Sequence, residues 1–250
     1  MADEVLTEAR GRVLLVTLNR PEARNSVNSA LGGALVAAME RLDGDDGLTA
    51  GVLTGAGKRF SAGMDLKAFA SEGPPKGFDT FLCDGSKKPL IAAVEGFALA
   101  GGLEIALACD LLVAARGVKL GIPEVNVGLF AAGGALLRLP RRLPYGVAME
   151  MALTSDPISA EQAFEHGLVS RLAEPGKAVD VALELAERIA KNAPLAVAAS
   201  KQIIRETQGR TEEEFWTFQG PHAAKIFASE DAKEGPAAFA QKRAPKWTGR

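Results

Sequence analysis

Short runs of branched apolar residues recur through the first 130 positions, each closed by a turn and most followed by a helical pattern. Val13–Leu18 (VLLVTL) reads as a strand that Asn19-Arg20-Pro21 ends. Asn28 is placed to cap a helix running through Leu42, with Leu31, Leu35, Ala38, Met39 and Leu42 at helical spacing. Ala50–Leu53, Leu90–Val94, Leu111–Ala115 and Leu120–Ile122 are further strands, and AGGLEIALAC opens a helix after Gly101-Gly102. This repetition predicts an α/β architecture. Beyond Pro140 the pattern turns helical: Gly146–Leu153, Ala160–His166, Val179–Lys191, Leu195–Thr207, a segment over 211–228, and Asp231–Arg243. The break at KNAPLA divides an expected core of residues 1–193 from a C-terminal helical region of residues 194–250.

Charge and cysteine usage exclude several classes. The formal net charge is −2 with no long run of one sign, so duplex nucleic acid, which rewards a basic footprint, is not an expected partner. Cys83 and Cys109 are the only cysteines and have no metal-ligand spacing; neither a disulfide framework nor a metal site is expected. No nucleophile motif surrounds His166 or His222. The opening MADEVLTEARGR is charged and lacks the apolar stretch of a signal peptide, and no apolar run is long enough to span a membrane. The expected location is the cytoplasm. TGAGK (Thr54–Lys58) resembles a phosphate loop only superficially, because Val52 holds the first glycine position and Arg59 follows Lys58.

One residue conflicts with its surroundings. In AGGLEIALACD, Glu104 stands among small and apolar residues, where an unpaired carboxylate is costly to bury. It lies three residues after Gly101, on the same face of the first helical turn. Two glycine-bearing turns follow strands, FSAGMDLK (Phe60–Lys67) and ALAGGLE (Ala98–Glu104). Helix starts expose N–H groups without internal partners, and two such turns converging would form an oxyanion hole. Taken singly, each glycine only permits a backbone conformation. A second carboxylate, Glu124, follows Pro123 in LGIPEV. Two carboxylates beside a polarised carbonyl can handle water as base and acid; the structural alternative for Glu104 is a helix N-terminal acid or a salt bridge.

In order along the chain, RPEARNSVN, TGAGKRFSAGMDLK, KPLIAAVEGFALAGGLEIALACDLLVAA, LGIPEVNVGLFAAGG and LTSDPISAEQAFEHGLVSRL resemble the enoyl-CoA hydratase/isomerase (crotonase) family, and the tail AFAQKRAPKW fits as well. The resemblance implies a spiral of ββα repeats with a C-terminal helical region that builds trimers, commonly paired into hexamers. It implies oxyanion-hole N–H groups at Met64 and Gly101, and a catalytic pair at Glu104 and, twenty positions on, Glu124. Arg24, Ala62, Asp65 and Lys67 fall at substrate-binding positions, with solvated surface charge the alternative for Arg24 and Lys67; for Lys242 a surface role is favoured over an approach to coenzyme A from a neighbouring subunit. The implied reaction adds water to a 2-enoyl-CoA, Glu104 activating it and Glu124 protonating C2, with the two labels exchangeable in a coupled pair. Coenzyme A belongs to the substrate, and no separate cofactor is expected. Competing readings are Δ3,Δ2-enoyl-CoA isomerisation, which needs one carboxylate and no water, and a non-catalytic acyl-CoA-binding homologue. GLFAAGG (Gly128–Gly134) departs from the proline-containing turn of many hydratases, and the segment over 69–88 leaves the acyl chain length unread.

Overall fold

The computed structural model describes residues 3–250. Met1 and Ala2, which begin the charged opening segment, lie outside the described residues. The chain begins with a hairpin of β1 (Val5–Arg10) and β2 (Val13–Leu18), followed by α1 (Ser29–Gly44), β3 (Ala50–Gly55), α2 (Leu66–Glu72), α3 (Phe78–Asp84) and β4 (Leu90–Val94). Next come β5 (Phe97–Leu99), α4 (Gly101–Ala108), β6 (Leu111–Ala115), β7 (Lys119–Gly121), α5 (Ala135–Arg142) and α6 (Tyr145–Thr154). The remainder is β8 (Ile158–Ser159), α7 (Ala160–Glu165), β9 (Arg171–Ala173), α8 (Ala178–Ala190), α9 (Pro194–Glu206), α10 (Glu212–Phe227) and α11 (Glu230–Ala240).

The larger sheet has the order β1-β2-β3-β4-β6-β9, all parallel except the β1–β2 pair. Parallel strands covered on both faces are apolar throughout, which is why VLLVTL and LIAAV read as continuous runs instead of alternating ones. Helix α8 lies across β2, β3, β4, β6 and β9, burying Ala178, Ala182, Leu183 and Ala186 at helical period. Asn28 caps α1 as expected, its side chain accepting from the Leu31 N–H at 2.8 Å.

A smaller sheet, β5-β7-β8, forms a second layer. Successive stretches of chain give one strand to each layer and then a helical turn: β4, β5 and α4, then β6, β7 and a 3-10 turn at Pro123–Val127. This is the ββα spiral that the resemblance implies. Its consequence is that the turns leaving the second layer stack beside one another.

Helices α2 and α3 and strands β1, β5, β8 and β9 were not among the sequence expectations, and the helical half starts earlier than expected. β1 was unmarked because it is an edge strand, largely exposed, whose Glu8 and Arg10 mask any apolar alternation. The helical half contributes β9 to the larger sheet, since a three-residue pairing with β6 is too short to carry a period. The helical change precedes Pro140, which lies inside α5. Asp110 has the structural role anticipated for a residue at the end of α4: it accepts from the Leu90 N–H at 2.8 Å and pairs with Lys201 at 2.6 Å, tying α9 to the core. Among the described residues no helix is long and apolar enough to cross a membrane.

Candidate active site

The chain leaving β3 passes Ser61, which forms a parallel bridge with Ala98 of β5. Ser61 donates its N–H to Phe97 O at 3.4 Å, and Leu99 donates to Ser61 O at 3.1 Å. This pairing sets Gly63-Met64 against Ala100-Gly101. Gly63 has φ +93°, and a Cβ there would lie 2.7 Å from the Gly101 nitrogen, so only glycine permits the approach. Ala100 has φ +53°, a conformation that costs an L-residue on the order of 1 kcal/mol or more and that aims the start of α4. A Cβ on Gly101 would sit 3.5 Å from the Met64 nitrogen, so the two amides are neighbours. Among the described residues, neither the Met64 nor the Gly101 N–H has an acceptor within the chain. Two adjacent free donors at converging turns can bind one developing oxyanion.

Glu104, on the first turn of α4, is only 5% exposed. Its Oε1 accepts from the Ala135 N–H at 3.1 Å, at the N-terminus of α5, where unpaired amides and the helix dipole favour a carboxylate. Burial pushes its pKa above the ordinary glutamate range, while the Ala135 and Gly133 amides and then Arg138 pull it back. Burial, and not a salt bridge, therefore dominates this carboxylate.

Glu124 sits half-buried in the 3-10 turn that Pro123 opens. Burial raises its pKa, and the charge of Glu104 raises it further, which places the two carboxylates within electrostatic reach. Its Oε2 is enclosed yet has no hydrogen-bond partner, an orphan acceptor of the kind a ligand or water satisfies. Ala100 donates to Gly121 O at 2.9 Å, which holds the end of β7 beside the start of α4. Met64, Gly101 with Glu104, and Glu124 are thus gathered from three separate segments.

The other candidate residues flank the first turn. Ala62 donates its N–H to Arg24 O at 3.0 Å, and Arg24 is exposed. Lys67 is exposed at the start of α2. Asp65 caps α2, accepting from the Ala68 N–H, and pairs with Arg20 at 3.3 Å. Its N–H goes to Val27 O at 2.9 Å, so both its carboxylate and its amide anchor the turn's exit. Lys242 is exposed beyond α11, apart from these residues in sequence.

The family model for enoyl-CoA hydratase/isomerase matches residues 8–250. The chain belongs to the enoyl-CoA hydratase/isomerase family. It is 44% identical to the enoyl-CoA hydratase EchA19 of Mycobacterium tuberculosis, over 99% of this chain and 97% of that protein. It is 40% identical to the carnitinyl-CoA dehydratase of Salmonella arizonae, over the full length of both. Among solved structures, the enoyl-CoA hydratase EchA1 of Mycobacterium marinum superposes with a TM-score of 0.95 at 57% identity, over 99% of this chain and 100% of that one.

Two features of this family member were not read from its sequence. Asn25 is fully buried with φ +54°: its side chain donates to Ala56 O and Arg59 O, each at 2.9 Å, and accepts from the Arg20 N–H at 3.0 Å. Its carbonyl accepts from the Ser61 hydroxyl at 2.8 Å, so one residue pins the bridge strand and the turn before it. The only sequence signal was an asparagine, tolerant of positive φ, following an Arg-Pro turn. The second feature is Gly133, where a Cβ would lie 2.5 Å from Glu104 Oε2 and 2.9 Å from Leu82 Cδ1.

Both obstructing atoms are ends of flexible side chains, so Gly133→Ala is expected to fold while displacing Glu104. Turnover should fall by at least about tenfold, as for a misplaced acid–base group, with an unchanged circular dichroism spectrum. A fully active Gly133→Ala protein would show that Glu104 need not occupy this place. The raised pKa of Glu104 has its own consequence. The folded state holds this proton more tightly than the unfolded chain, so its contribution to stability is greatest at low pH and is lost as pH rises through the folded value. Glu104→Gln is therefore expected to be more stable than the parent at pH 7, with the difference vanishing below the ordinary value of 4.5. Denaturant midpoints across that range measure it; a Gln variant less stable at pH 7 would contradict the assignment.

Proposed function

We propose that this protein adds water across the C2=C3 bond of a 2-trans-enoyl-CoA, giving a 3-hydroxyacyl-CoA, and catalyses the reverse elimination. The observation that carries the reading is the buried Glu104 and the half-buried Glu124, whose pKa the charge of Glu104 raises, gathered with two free backbone donors. The Met64 and Gly101 amides polarise the thioester carbonyl, which makes C3 electrophilic and stabilises the enolate. The carboxylates hold one water; its oxygen bonds to C3 as Glu104 takes its proton, and Glu124 delivers a proton to C2. Both protons are accounted for without a cofactor, coenzyme A being part of the substrate. An isomerase would use one carboxylate and no water, which leaves the second enclosed glutamate without a task. The relatives named above, an enoyl-CoA hydratase and a carnitinyl-CoA dehydratase, both act on CoA thioesters and support the class.

Around this centre, Arg24 and Lys67 offer exposed cations to the coenzyme A phosphates, Ala62 lies on the same turn, and Asp65 positions it through its cap and Arg20 pairing. Glu104→Gln and Glu124→Gln are each expected to lower hydration by about 10²–10⁴-fold, with thioester binding much less affected. The measurement is loss of 2-enoyl absorbance over a panel of 2-enoyl- and 3-enoyl-CoA thioesters with product identification. Turnover confined to the 3-enoyl compounds would replace hydration with isomerisation.

We further propose a homotrimer or dimer of trimers. Helix α10 buries no residue within the chain, and its Trp216 and Phe227 are 59% and 78% exposed. Helices of that length do not remain ordered without a covered face. Light scattering at micromolar concentration is expected to give a multiple of three chains; a monomer would overturn the assembly.

A further inference from the structure

At the far end of α4 from the glutamate pair, α4, α5 and α9 border a cavity of about 740 Å³, a size typical of small-molecule sites. None of Met64, Gly101, Glu104 or Glu124 lines it. Its walls carry five cations, Arg138, Arg141, Arg142, Lys201 and Arg205, against a single carboxylate, Asp110. That carboxylate is already engaged by Lys201 at 2.6 Å and by the Leu90 N–H at 2.8 Å.

The chain offers these cations little else. Arg138 and Arg205 donate to carbonyls of Leu82, Cys83 and Asp84, at the C-terminal end of α3, and Arg141 donates to Gln208 at 2.8 Å. Arg142 is half-buried and has no hydrogen-bond or ion-pair partner among the described residues. Burial lowers the pKa of Arg138 and of Arg142; neighbouring arginines lower that of Arg138 further, while at Arg142 the charge of Asp110 pulls it back up ahead of the repulsion from Arg205. Five like charges gathered in a concave, poorly solvated space share one carboxylate, Asp110, so the fold leaves most of their charge uncompensated. Beside them, Leu137, Val197 and Ile204 give the same cavity an apolar wall.

We propose that this cavity binds a small amphipathic anion, its carboxylate or phosphate head among Arg142 and the neighbouring cations and its apolar body along Leu137, Val197 and Ile204. A guanidinium without a partner presents a planar fork that either head accepts in bidentate fashion. The apolar wall favours a head carrying a chain over a bare inorganic ion.

Isothermal titration of the full-length protein tests this, with the thioester site filled by saturating butyryl-CoA. Decanoate and decyl phosphate are the charged probes; decanol and inorganic phosphate each supply one half of the chemistry. Saturable binding of at least one charged probe is expected, weakening as salt rises, with decanol and inorganic phosphate each at least about tenfold weaker. Arg142→Gln should weaken that probe by at least about tenfold, as expected for loss of a charge-assisted pair, and Arg142→Lys by less. Arg205→Gln provides a second variant if the first does not fold. Hydration by folded Arg142→Gln is expected to be unchanged, because Arg142 touches none of the groups assigned to that reaction. Decanol binding as tightly as decanoate, salt-independent binding, or no binding of either charged probe would overturn the proposal.

Discussion

The bridge between Ser61 and Ala98 is the constraint on which the rest of the site depends. It joins the exit of one spiral turn to the exit of the next, and so brings two helix-leading segments close enough for their amides to serve one oxygen. Everything around it reinforces that closeness. Asn25 fixes Ser61 from behind, Gly63 removes the side chain that would separate the turns, and Ala100 accepts an unfavourable backbone conformation to aim α4. Strain retained at this point and absorbed by the surrounding sheet is a common property of functional sites.

The electrostatics follow from the same packing. Helix α4 buries nearly every residue it has, so the carboxylate on its first turn is denied water. The N-terminus of α5 restores part of what solvation would have supplied, and burial still dominates. A glutamate kept above its ordinary pKa takes up a proton more readily than a fully paired carboxylate, as an acid–base group requires. Glu124, less enclosed and repelled by Glu104, completes a pair whose members avoid being charged together. Burial holds the Glu104 carboxylate at a cost in stability, and Gly133 leaves the room its side chain occupies.

Much of this was legible in the sequence, and the limits have physical causes. Buried parallel strands announce themselves as unbroken apolar runs, as in β2 and β4, and Asn28 marks the start of α1 through its capping chemistry. Glu104 stood out because a carboxylate on an apolar helix demands a reason. Edge strand β1 and three-residue β9 did not, since neither carries a periodic apolar pattern. The proximity of Met64 to Gly101 is a long-range pairing that no local pattern encodes, and only the family resemblance pointed to it. The packing of Gly133 against Glu104 and the anchoring by Asn25 depend on atoms from distant segments and became visible only in the fold.

The most direct test of this arrangement reads the carbonyl itself. A 2-enoyl-CoA carrying ¹³C at the thioester carbon, bound to Glu104→Gln to prevent turnover, can be followed by difference infrared spectroscopy. Two backbone donors on one oxygen should move the C=O stretch to lower frequency than in water, and Gly101→Val should reverse much of that shift in a folded, assembled protein. A bound thioester whose carbonyl stretches as it does in solution would contradict the assignment of Met64 and Gly101, and with it the account of why the two turns are held together.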